Sequence, residues 1–224
     1  MPFADDINIT TCLPAEIGEL VNLKALNLDC NHLRSLPSRI GQLLDLVILR
    51  LDNNLLTSLP VEIGNLFNLK VLHLSGNLLA SLPVEIGTLV HLKGLTLDSN
   101  QLTSLPVEIG QLVNLETLFI PNNELTTLPI EIGNLVNLGE LELTGNQLTT
   151  LPESMGLLGN LHRFNVVDNK LSEMPNFMRL GLLPPIRVCI AGNDIPLEQR
   201  ITRKESRHRR GFINFIFNYD DPTY

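Results

Sequence analysis

Apolar positions return along this chain with a fixed spacing. From Leu13 the string L-P-x-E-I-G-x-L-x-N-L-x-x-L-x-L-x-x-N-x-L-x-x recurs every 23 residues, restarting at Leu36, Leu59, Leu82, Leu105, Leu128 and Leu151. A worn eighth copy opens at Met174. Two apolar rhythms alternate inside each copy. The pairs Leu26/Leu28, Leu49/Leu51, Leu72/Leu74 and so on to Phe164/Val166 are apolar at every second position, which predicts a short strand with one buried face. The Ile and Leu positions that follow each Leu-Pro fall at helical spacing and predict a short helix or 3₁₀ segment on the outside. Proline suits the first helical position of such a segment, and the glutamate two residues later favours the positive end of its dipole.

A unit this short cannot bury its own apolar face, so the copies must stack. Equivalent strands then run the same way, about 4.8 Å apart, in one parallel sheet. The expected fold class is α/β: a right-handed solenoid with a parallel inner β-sheet and short helices or 3₁₀ segments on the convex side. The expected organisation is an N-terminal flank or partial repeat over 1–12, seven regular repeats over 13–173, a degenerate eighth over 174–195, and a basic-aromatic cap over 196–224. Asn31, Asn54, Asn77, Asn100, Asn123, Asn146 and Asn169 close the strands. An amide both donates and accepts, so these residues are read as a ladder satisfying turned backbone between coils.

The pattern resembles the leucine-rich repeat family over residues 13–195. Its L-P-x-E-I-G-x-L-x-N-L form is similar to the 23-residue class found in Ras-pathway scaffolds, plant intracellular repeat proteins and bacterial repeat proteins. The matching residues build the coil, so the resemblance speaks to fold and leaves function to the positions that vary. It implies a surface for partners, with no chemistry of its own.

Those positions lie on the strands. The column between the paired apolar residues reads Asn27, Arg50, His73, Thr96, Phe119, Glu142, Asn165. The column before it reads Ala25, Ile48, Val71, Gly94, Thr117, Glu140, Arg163, and the column after it Asp29, Asp52, Ser75, Asp98, Pro121, Thr144, Val167. Grouped exposed apolar residues mark interaction sites. Phe119 is therefore expected to anchor a protein partner on the concave face, with Ile48 and Val71 as a second anchor beside Arg50 and His73. Asp52, Asp98, Glu142 and Arg163 complete the candidate face. Glu16, Glu62, Glu85, Glu108 and Glu131 form an outer row that Arg39 and Ser154 interrupt; it is read as solvated helix starts.

Composition narrows the rest. The chain carries a net charge of −8, yet residues 200–210 alone contribute +5 and leave −13 elsewhere. An acidic body repels phosphates, so no nucleic acid is expected as a partner. Three cysteines, Cys12, Cys30 and Cys189, form no disulfide framework or C-x-x-C pair. With no basic-then-apolar leader at the N-terminus, the expected location is the cytoplasm, or the cytosol of a host cell for an effector. Membrane contact is not expected, and neither is self-association. The five histidines share no metal-ligand spacing with Cys or acidic residues, and the phosphate-binding, zinc-protease and serine-hydrolase motifs are absent. No enzyme, cofactor or metal is expected. The expected function is a protein-interaction module or scaffold; the alternatives are a bacterial effector acting in a host cell and the recognition arm of a larger signalling enzyme. In the tail, Phe212, Phe215, Ile216 and Tyr219 fit a helix, whereas Ile213, Phe215, Phe217 and Tyr219 fit a strand. Phe212, Phe215 or Phe217 is expected to cover the last coil.

Overall fold

A computed structural model describes residues 11–179, 186–196, 199 and 213–216, with backbone alone at Arg179, Arg187 and 213–216. Its strands are β1 (Ala25–Asn27), β2 (Ile48–Arg50), β3 (Val71–His73), β4 (Gly94–Thr96), β5 (Thr117–Phe119), β6 (Glu140–Glu142), β7 (Arg163–Asn165), β8 (Ile186–Cys189) and β9 (Ile213–Ile216). They form one sheet in chain order, every adjacent pair parallel. From β1 to β7 the register advances by one repeat: Leu26 lies opposite Leu49, then Leu72, Leu95, Leu118, Leu141 and Phe164. The fold is a solenoid of parallel strands, as the 23-residue period requires.

The outer side is built from 3₁₀ segments: Ala15–Glu19, Ser38–Gln42, Val61–Asn65, Val84–Thr88, Val107–Gln111, Ile130–Asn134 and Glu153–Leu157. Proline stands one residue before each, in extended conformation, and its carbonyl accepts the N–H three residues on, as Ile63 N–H to Pro60 O at 3.0 Å. A fixed φ suits that capping place, and the missing N–H leaves nothing unpaired. The eighth coil replaces the 3₁₀ segment with a turn of α-helix, α1 (Asn176–Arg179). Glu153 caps it: its two carboxylate oxygens accept the Asn176 and Phe177 N–H groups at 3.0 Å each. Leucine layers fill the space between sheet and 3₁₀ stack; at the C-terminal end Phe164 takes a leucine place, Met155 takes the isoleucine place, and Phe177 of α1 joins them, all fully buried.

Two devices set the spacing of the coils. The first is the asparagine ladder. Asn100 Nδ2 donates to Leu97 O at 3.0 Å in its own coil and to Leu74 O at 2.9 Å in the coil before, while its Oδ1 accepts Leu79 N–H at 3.0 Å. Asn54, Asn77, Asn123, Asn146 and Asn169 repeat those bonds at the same offsets. The residue before each rung turns through positive φ: Cys30, Asn53, Ser99, Asn122 and Asp168 at 53–57°, and Gly76, Gly145 and Gly192 at 66–68°. The second device is the glycine of the E-I-G triplet. At Gly41, Gly64, Gly87, Gly110 and Gly133 an added Cβ would lie 2.4–2.8 Å from a backbone oxygen of the next coil. Only a hydrogen side chain lets the 3₁₀ segments stack this closely.

At the C-terminal end the step lengthens to 24 residues, with Phe164 opposite Val188. Asn193 still serves as a rung, its Oδ1 accepting Leu171 N–H at 3.0 Å. β9 then pairs with β8, Ile186 opposite Ile213 and Val188 opposite Phe215, so the tail segment is a strand and not a helix. The side chains of Phe212, Phe215 and Phe217, and the basic run 200–210, lie outside the described residues. Without β9, the edge of β8 would offer unpaired N–H and C=O groups to other chains. Truncation after Glu198 is expected to lower the unfolding midpoint and solubility together. A truncated protein that remains monomeric with an unchanged midpoint would show that β9 contributes nothing.

Candidate protein-interaction face

With Leu26, Leu49 and their equivalents turned inward, the residues on either side of each turn outward. Parallel register lines them up as two rows, Ala25–Ile48–Val71–Gly94–Thr117–Glu140–Arg163 and Asn27–Arg50–His73–Thr96–Phe119–Glu142–Asn165. Seven of the nine candidate residues thus share one face, and Asp52 and Asp98 follow two positions after Arg50 and Thr96, where β2 and β4 end. Ile48 is 37% exposed, and Val71, beside it, is half-buried. Phe119 is half-buried as well, less open than expected, between Thr96 and Glu142. Gly94 beside β5 leaves the sheet low there, since a Cβ at that site would meet only Thr117 Oγ1, at 3.3 Å.

Much of the charge on this face is internally paired. Arg50 Nε donates to Asp29 Oδ2 at 2.9 Å, and His73 Nδ1 lies 3.4 Å from Asp52 Oδ2. Arg163 reaches Glu140 at 3.4 Å, with His162 at 3.9 Å on the same carboxylate. Along one margin Lys24 pairs with Asp45 at 2.7 Å and Lys93 with Glu116 at 2.6 Å. Exposed pairs of this kind contribute little to stability, about 0–1 kcal/mol each. They do fix where charge is offered and where it is already neutralised.

Sequence reasoning missed two features outside the strands. Asn68, Asn114, Asn137 and Asn160 form a second ladder, each Nδ2 donating to the carbonyl 24 residues earlier at 2.7–2.9 Å. Beside it Val21, Leu44, Phe67, Val90, Val113 and Val136 are exposed at one position of successive coils. Column-by-column comparison, applied to the strands alone, would have found both had it been carried through the L-x-N-L stretch. Among the described residues no three His, Cys, Asp or Glu side chains converge as metal ligands, and no helix is long and apolar enough to cross a membrane.

Models of the leucine-rich repeat match residues 22–43, 67–125 and 90–148. The likeness extends to solved structures at the level of the backbone. A leucine-rich repeat protein of Leptospira interrogans is 43% identical with a TM-score of 0.79, over 84% of this chain and 47% of that one. The fold is a leucine-rich-repeat solenoid. A plant peptide hormone receptor, RGFR1 in complex with RGF2, is 33% identical with a TM-score of 0.74, over 82% of this chain and 31% of that one. Internalin C2 of Listeria monocytogenes is 26% identical with a TM-score of 0.71, over 84% of this chain and 79% of that one. The chain thus spans less than half the length of the Leptospira protein and of the plant receptor. No curated protein matches it, and no catalytic family is detected; the family models that match are repeat models.

Proposed function

We propose that this leucine-rich repeat chain is a non-enzymatic interaction module, a scaffold that holds a protein partner against the concave face of its sheet. One observation carries the reading: a frame repeats with nearly the same apolar, Asn, Pro and Gly residues from coil to coil, while the outward strand columns change. Such a frame positions a varied surface without spending residues on chemistry. The plant receptor, a peptide receptor solved with RGF2, shows a relative of this architecture engaged with a ligand. The three cysteines are free thiols, Cys12 and Cys30 exposed, which supports a reducing, cytoplasmic setting. A second reading, an effector acting in a host cytosol, requires a bacterial source, and the 43% identity to a Leptospira protein favours that source alone.

Phe119 is the central aromatic of the face, so Phe119→Ala is expected to weaken a captured partner by at least about 1 kcal/mol. Its half-buried position leaves the leucine layers beneath intact, and the unfolding midpoint should shift little. The test is affinity capture from cytosol with wild type and variant side by side, followed by titration of the captured protein. A partner that binds the Phe119→Ala and Ile48→Arg variants as tightly as wild type would overturn the concave reading.

A further inference from the structure

The column after the apolar pair holds aspartate three times, and two of the three are fully engaged. Asp29 Oδ1 accepts the Asp52 N–H at 2.8 Å, and its Oδ2 accepts Arg50 Nε at 2.9 Å. One coil on, Asp52 Oδ1 accepts the Ser75 N–H at 2.7 Å and its Oδ2 faces His73 Nδ1 at 3.4 Å. The frame therefore shows what an aspartate at this place bonds: the amide 23 residues on and a basic side chain 21 residues on. Asp98 finds neither. Pro121 stands where the amide should be and has no N–H, and Phe119 stands where the basic side chain should be. Its Oδ1 accepts the Ser75 hydroxyl; its Oδ2 has no partner among the described residues.

The other flank of Phe119 carries a second half-open carboxylate. Glu142 lies opposite Phe119 in the register, and its Oε1 accepts the Thr144 N–H at 3.0 Å together with the Thr144 hydroxyl. Its Oε2 has no partner among the described residues. An aromatic ring thus stands between two carboxylates, each held in place by one oxygen and open at the other.

We propose that Asp98, Phe119 and Glu142 are the anchor point for a basic side chain, arginine or lysine, of an extended protein segment lying in the concave face. This rests on the protein-binding reading and names the chemistry of the partner. The incoming cation takes the place that Arg50 and His73 fill for Asp29 and Asp52, and the ring adds a cation–π face that neither of those coils has. A half-buried site strengthens the charge-assisted bond relative to open solvent. The −13 charge outside residues 200–210 draws a basic segment toward the surface.

The experiment is selection of random linear peptides against the full chain, with the recovered peptides titrated against variants. A basic residue at one fixed position of the recovered peptides is the expected result. Asp98→Asn should weaken them about tenfold with an unchanged unfolding midpoint, because the amide oxygen still accepts from Ser75. Neutralising the peptide residue, by citrulline for arginine or acetyllysine for lysine, should cost wild type more than it costs the Asp98→Asn variant, in which only Glu142 and the Phe119 ring still meet the charge. Phe119→Arg supplies the cation from within and should abolish the preference while the protein stays folded. Peptides that are lost on Ile48→Arg but carry no fixed basic residue would overturn this anchor and leave the concave reading standing. Peptides indifferent to both Ile48→Arg and Phe119→Arg would overturn both.

Discussion

Asn100→Ala is expected to lower stability by about 3 kcal/mol, and Asn165→Ala by about 0.5 kcal/mol. Asn100 is buried and bonds four backbone groups: the Leu79 N–H and the Leu74, Leu97 and Asp98 carbonyls. Alanine orphans the Leu79 N–H in an apolar layer where water enters only by parting the coils, while Leu74 O and Leu97 O each lose one of two donors and keep Asn77 Nδ2 at 3.0 Å and Asn123 Nδ2 at 2.9 Å. An orphaned buried N–H costs about 1–3 kcal/mol, and the bonds lost across the two coils bring the total to the upper end of that range. Asn165 lies on the half-open face and makes one local bond, its Oδ1 accepting the Val167 N–H at 3.2 Å. Urea denaturation of the two variants checks the contrast. Equal midpoints would mean that the ladder does not hold the coils together.

The second large effect belongs to a residue without a side chain. At Gly110 an added Cβ would lie 2.5 Å from the Glu131 carbonyl oxygen, 2.6 Å from its Cβ and 3.1 Å from its carbonyl carbon. The neighbour is backbone and Cβ, so no rotamer change can relieve the overlap. Gly110→Ala is therefore expected to cost about 1–3 kcal/mol by overpacking. Gly159→Ala is the matched control: an added Cβ there would meet only the Leu157 oxygen, at 4.0 Å. Its cost should stay within about 0.5 kcal/mol. Comparable losses for both glycines would show that the 3₁₀ stack is looser than its geometry states.

What was legible in the sequence is what repeats. Leu26/Leu28 and their equivalents gave the strands, and the constant spacing gave a register that the pairing of Leu49 with Leu72 reproduces. The asparagines were readable because an amide at the end of an apolar strand has few other uses. Proline was placed one residue too far into the outer segment, since a fixed φ serves a cap and a first helical residue alike. The openness of Phe119 was overstated because neighbouring coils lie close enough to cover part of a ring, and that depends on spacing across the sheet. Arg50 and His73 were named as recognition candidates with no pairing of their own; both are tied to aspartates of the preceding coil. Those pairings join residues 21 apart, which no local pattern displays. Ile213–Ile216 fitted two periods equally well, and its partner strand β8 decided between them.

The ladder bonds are written in offsets. Each rung from Asn54 to Asn169 reaches 3 residues back in its own coil, and 21 and 26 residues back to the coil before. No bond in this set refers to an absolute place in the chain. A gene that gained or lost one 23-residue unit among the regular coils would hand every rung an equivalent partner. The sheet would lengthen or shorten by one strand, about 4.8 Å, with no seam at the junction. Unequal recombination between near-identical copies is then a tolerated event for this architecture. The reach of the concave face can change faster than the frame beneath it.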